Sequence, residues 1–279
     1  MDPTPSCPVG SECQLPIDII LRSSDQVLIG AHATNLEQWS EGFPPADGVL
    51  KSTDGQPEIV DLTEDGETLR TLLQCMHRAQ YPDISTLDGE KLFELAHAAE
   101  KYRVHSAMAV CFGQILYPNN IELHPLQSLH YAVKFNYPKI ADLAAPHTVD
   151  IPLDEIKDLF GDDKATILAW VEYREAYLKA YDTVITPPTE GHLHPDCAAW
   201  RAFCQAVQAE LPRSLNAFLM TMASEEFVEM YMTYGRKQAE CIGTNCYPEY
   251  AHNCNAKATD WATAAHSALF EIPNISSYL

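Results

Sequence analysis

Residues 18–43, DIILRSSDQVLIGAHATNLEQWSEGF, decide the fold of the N-terminal half. Ile17, Ile19 and Leu21 alternate with Asp18 and Arg22, the period of two that marks a half-buried strand. Ser23-Ser24-Asp25-Gln26 is a polar turn, after which Val27 and Ile29 resume the alternation, so a β-hairpin is expected. Upstream, residues 1–14 (MDPTPSCPVGSECQ) are acidic and proline-rich and predict a short flexible lead. They carry neither the basic nor the apolar region of a secretory signal. Downstream, residues 44–57 (PPADGVLKSTDGQP) predict a loop, or a loop with one short element, and Ile59-Val60-Asp61-Leu62 a short strand.

Beyond Leu62 the period lengthens to that of helices. Leu69, Leu72, Leu73 and Met76 stand at i, i+3, i+4 and i+7, with Thr63 or Asp65 available as a cap. Similar spacing recurs at Leu92, Leu95, Ala96 and Ala99 after Asp88, and at Met108, Cys111, Phe112 and Ile115 after Ser106. Tyr117-Pro118-Asn119-Asn120 closes the unit. An α+β domain over residues 15–117 follows, a small mixed sheet with clustered helices. The remainder predicts an all-α region in two parts. Residues 118–185 carry stripes at Leu126, Leu129 and Val133, then Ile140, Leu143 and Ala144. A longer helix over about 163–182 is expected to place Ile167, Trp170, Val171, Leu178 and Tyr181 on one side. Thr186-Pro187-Pro188 breaks the pattern and begins residues 186–279, with stripes at Trp200, Phe203, Cys204, Val207, at Phe227, Met230, Tyr231, Tyr234, and at Trp261, Ala264, Ala265, Ala268.

The chain holds 39 Asp and Glu against 18 Lys and Arg, a formal charge of −21. Such a surface repels phosphate backbones, so direct nucleic-acid binding is not expected. No stretch reaches the roughly 18 apolar residues of a membrane helix. An intracellular, reducing compartment is the expectation, with the nine cysteines as thiols, small core residues or metal ligands.

The order strand, hairpin, helix, strand, helix and helical pair resembles the BTB/POZ fold. The resemblance becomes specific at Asp18, His32, Leu36, Ser40 and Phe43, the last four spaced by four, four and three. The run LFELAHAAEKYRVHSAMAVC is similar to the family's paired helices. The phrases DIILRSSD, GAHATNLEQWSEGFP, EIVDLTED and LAHAAEKYRVHSAMAVC resemble the expanded BTB family of mushroom-forming fungi, and the likeness covers about a third of the chain. It implies a protein-binding adaptor or scaffold that self-associates, with a cullin-type ubiquitin ligase as one partner class and a transcription-associated scaffold as the alternative. It places the self-association face near Ile17, Ile19, Leu36, Trp39 and Phe43, with Trp39 reading either as an interface anchor or as a core residue of the same helix. Asp18 and His32 are expected to be architectural, an imidazole at the foot of the hairpin satisfied by a carboxylate one strand away. With 14 residues ahead of Leu15, strand exchange between subunits is not expected. HPLQSLHYAVKFNYPKIADLA resembles the start of the BACK extension found after BTB domains.

No nucleophile elbow, HExxH, P-loop or GxGxxG motif is present, so neither catalysis nor a cofactor is expected. Residues 192–254 gather five cysteines and three histidines. Cys197, Cys204 and Cys241 continue apolar stripes and read as core thiols. Cys246, His252 and Cys254 lie in a polar stretch and are the zinc candidates, as part of a zinc-stabilised helical module. Without a CxxC pair, a reading of all of them as core and loop thiols is preferred.

Overall fold

The computed structural model describes residues 5–43, 57–187, 198–210, 215, 260–268 and 270–279. It is a mixed α+β protein, mostly helical, with a three-stranded sheet among the described residues. Strands β1 (Ile19–Arg22) and β2 (Leu28–Ala31) form the expected hairpin, pairing Ile19 with Ala31 and Leu21 with Ile29. Strand β3 (Glu58–Asp61) lies on the other side of β1 and parallel to it, so β1 is central. A parallel neighbour requires a crossover, and helix α1 (Ala33–Trp39) lies within it. Ile19, Leu21 and Ile29 are buried together with Ala31. In the turn, the Val27 N–H donates to Ser23 Oγ over 2.9 Å. Asp25 accepts from the Gly66 N–H, tying the hairpin to the next helix.

Helices α2 (Gly66–Gln74), α3 (Gly89–Tyr102) and α4 (His105–Ile115) follow. Asp65 and Asp88 cap α2 and α3, accepting from Thr68 N–H and Lys91 N–H. The stripes of α2 and α3 are buried where the sequence places them: Leu69, Leu72, Leu73, Met76, Leu92, Leu95, Ala96 and Ala99. In α4 the buried line is Ala107, Cys111 and Ile115, with Met108 and Phe112 only half covered.

The compact unit that holds this sheet runs to Ile140. Helices α5 (Pro118–Leu123) and α6 (Pro125–Phe135) belong to it, and α7 (Pro138–Ala144) begins within it. The reason is polar as well as apolar. Glu100 on α3 accepts from the hydroxyls of Tyr131 (2.9 Å) and Tyr137 (2.6 Å), whose rings stack 5.4 Å apart. The expected flexible lead differs too, since residues 5–14 pack. Cys7 is buried, Gly30 N–H of β2 donates to Ser6 O, Gln74 Nε2 donates to Pro8 O, and Gly10–Glu12 form a 3-10 turn. Prolines disfavour a regular strand there, but they do not prevent the backbone from lining a sheet edge.

One pH dependence follows from the α2 cap. Partial burial raises the Asp65 carboxyl, but the Lys91 ammonium at 2.7 Å and the Thr68 N–H outweigh it and hold it at about 2. The folded value lies below the ordinary one, so this contribution is complete above about pH 4 and is lost as pH falls toward about 2. Urea midpoints measured over that window are expected to drop. Asp65→Asn, which keeps the cap and loses the ion pair, is expected to flatten that fall.

The second unit, residues 141–279, is helical in its described parts, with α8 (Leu153–Phe160), α9 (Lys164–Ile185) and α10 (Ala198–Glu210). Trp170 is its largest fully buried side chain, and its indole N–H donates to Thr148 Oγ1 over 2.9 Å. The buried face of α9 is turned from the expected one, running through Thr166, Ala169, Trp170, Tyr173, Tyr177, Ala180 and Val184. Val171 and Leu178 are exposed, because two tyrosines that share a hydroxyl hydrogen bond take the core positions. Cys204 and Val207 are buried as expected. Among the described residues no helix is long and apolar enough to cross a membrane.

Candidate functional site

The residues from Asp18 to Phe43 make two junctions. At the first, Asp18 and His32 do not pair with each other. The Asp18 carboxylate accepts from the Ala33 N–H over 2.7 Å and so caps α1 from the neighbouring strand. His32 is buried, and its Nδ1 donates to Pro16 O over 2.7 Å. The positive end of the helix dipole favours a carboxylate at this N–H, while the His32 ring is turned away to Pro16 O and Cys13 Sγ.

The second junction lies where the chain leaves α1. Ser40 Oγ donates to Tyr102 O over 2.6 Å and accepts from the N–H groups of Gly42 and Phe43. Gly42 N–H also reaches Tyr102 O, and the Phe43 ring stacks on Tyr102 at 4.3 Å. The last carbonyl of α3 is thus met by the segment after α1. Tyr102 in turn donates to Glu64, and burial with that carboxylate beside it pushes its hydroxyl far above the ordinary phenol range.

These junctions correct the expected interface. Ile19, Leu36 and Phe43 are buried within the chain and offer little surface to a partner. Their side chains are used by the sheet, α1 and the Tyr102 stack. Of the five candidates only Ile17 and Trp39 keep exposed surface. Leu15 and Leu28, not singled out by the sequence, are more exposed than either.

Beside the first junction lies a cluster that the sequence reading missed. Cys7, Cys13, His32 and His77 offer four ligand atoms, all within 4.8 Å of one another. Cys7 Sγ is 3.2 Å from His77 Nε2, and Cys13 Sγ is 3.2 Å from His32 Nε2. The two rings stand edge to face at 5.4 Å. His77, just past α2, is fixed like His32: its Nδ1 donates to Leu73 O over 2.7 Å. Cys7 and Cys13 flank the 3-10 turn, so one short segment supplies both sulfurs. Burial pushes the Cys7 thiol up, with Cys13 adding to it, and burial pushes His77 down, with His32 alongside. Cys13 and His77 also border an open cleft of about 400 Å³ with Leu15, Gln38 and Arg78. The only signal available in the sequence was the presence of Cys and His near both ends of residues 7–77.

A second, wider cleft is lined by Glu64, Asp65, Glu94, His97, Lys101 and Lys134. Among the described residues His97 Nδ1, buried there, has no hydrogen-bond partner, and burial, with Lys134 and His130 nearby, pushes the imidazole down to about 4. It is therefore neutral at physiological pH and packs between Tyr131 and Phe135.

The zinc candidates Cys246, His252 and Cys254 lie outside the described residues. No protein-family model matches the chain, and no curated protein matches it.

Proposed function

We propose that the chain is a protein-binding module of the BTB/POZ type that associates with itself and does no catalysis. The observation that supports this most is the order of elements around Tyr102. A hairpin, a helix, a parallel third strand, a helix and a helical pair follow one another, and Ser40 and Phe43 clip the first helix exit to the end of α3. That gives each of the residues shared with the family an architectural task and leaves the surface free for partners. The acidic balance makes direct nucleic-acid contact unfavourable, so the partners are proteins in an intracellular setting. An adaptor bridging a partner to a cullin-type ligase and a transcription-associated scaffold both fit this reading.

Trp39 is half-exposed and is the aromatic anchor of the proposed self-association face. Two copies of the full chain carrying different tags are expected to co-purify when co-expressed. Trp39→Ala in both copies is expected to weaken the association by about 2 kcal/mol, roughly thirty-fold, with an unchanged circular dichroism spectrum. A variant that unfolds would place Trp39 in the core, and wild-type copies that never co-purify would remove self-association from the proposal.

A further inference from the structure

We propose that Cys7, Cys13, His32 and His77 form a structural zinc site that fastens the N-terminal segment to the hairpin and to the end of α2. Tetrahedral zinc, with bonds of about 2.3 Å to sulfur and about 2.0–2.1 Å to nitrogen, sets its ligand atoms roughly 3.3–3.8 Å apart. The two sulfur–nitrogen distances of 3.2 Å and the 4.8 Å limit on the whole set bracket that shell.

The outer contacts point the same way. Both histidines give their Nδ1 proton to a backbone carbonyl at 2.7 Å, Pro16 O for one and Leu73 O for the other. Each ring is therefore held in the tautomer that leaves an Nε2 lone pair facing the cluster, the arrangement metal-bound histidines require. Two isolated S–H···N hydrogen bonds would account for each pair separately. They give no reason for both pairs to converge on one point, nor for both rings to be pre-oriented alike.

The donor set selects the ion. Two thiolates and two imidazoles in a tetrahedral array suit Zn²⁺, and four protein ligands leave no position open for a substrate. On binding, the two thiols release two protons and the imidazoles enter neutral, so the loaded site carries no net charge. That suits a location where Cys7 and His32 are buried. The consequence is architectural: Cys7 and Cys13 come from the segment alongside β2, His32 from the foot of α1, and His77 from beyond α2. One ion joins three places separated by up to 70 residues.

The test uses the full chain, expressed with zinc supplied and purified without chelator. Mass-spectrometric metal analysis is expected to find about one equivalent, falling below roughly a fifth of that in Cys13→Ser and in His77→Gln. Because these variants could fail to fold, a second measurement uses the wild type alone. Zinc is expected to protect Cys7 and Cys13 from alkylation, with both becoming reactive after chelation. Cobalt loaded in place of zinc is expected to give tetrahedral visible bands and a thiolate charge-transfer band. Three outcomes overturn the proposal: metal-free protein with reduced thiols, a Cys7–Cys13 disulfide seen as a mass lower by two hydrogens, or metal retained by both folded variants, which would place it elsewhere in the chain.

Discussion

A Gly42→Ala chain is expected to lose about 3 kcal/mol of stability, although residue 42 is exposed and the added group is one methyl. A Cβ at this position would stand 2.6 Å from Tyr102 Cα, 2.7 Å from Tyr102 C and 2.8 Å from Lys101 O. All three atoms are backbone at the end of a helix whose next residue, Arg103, is already in the left-handed conformation, so no rotamer change relieves the clash. The segment must retreat, and with it go the Ser40–Tyr102 hydrogen bond and the Phe43–Tyr102 stack. Ser40→Ala provides the milder comparison. It strands the N–H of Phe43 and removes one of the two donors to Tyr102 O, a cost of about 1–3 kcal/mol. Urea denaturation of both variants measures the order. A Gly42→Ala midpoint equal to wild type would mean that the segment after α1 is not held against α3.

The second large effect is expected on withdrawing metal. With zinc held about a thousand-fold above its dissociation constant, binding linkage is worth roughly 4 kcal/mol, and chelation is expected to lower the thermal midpoint by roughly 10 °C. The loss should be local before it is global. Residues 5–14 carry few backbone ties of their own, chiefly Gly30 N–H to Ser6 O and Gln74 Nε2 to Pro8 O. Amide exchange is expected to rise first in that segment and around Gly30, while Leu72, Leu95 and Ala99 keep their protection. Chelation with no change in exchange at either place would show that the segment is held without an ion.

The hairpin and the stripes of α2 and α3 were legible because their signals are local: alternation over a few residues, or an apolar face repeated every three to four. Ser40 and Phe43 were legible as positions only. Their partner, Tyr102, lies about sixty residues on, and nothing in the local pattern names it. Asp18 and His32 were placed correctly at the foot of the hairpin but paired wrongly, since the competing demand came from the first N–H of α1. The Cys/His cluster was illegible for a stronger reason. Cys7 and Cys13 fall in a proline-rich segment that looked like a free lead, and His77 follows a helix whose position depends on a parallel crossover. Cysteine and histidine are denser in residues 192–254, and density in sequence is not proximity in the fold. On α9 the apolar count favoured Val171 and Leu178 over Tyr173 and Tyr177, which bury more surface and satisfy their hydroxyls against each other.

Self-association is the claim on which the proposed function rests most directly, and the mass of the full chain in solution tests it. Light scattering after size exclusion, at tens of micromolar and with zinc present, is predicted to give twice the chain mass of 31.1 kDa. A single peak at 31.1 kDa, unchanged on further concentration, would contradict it.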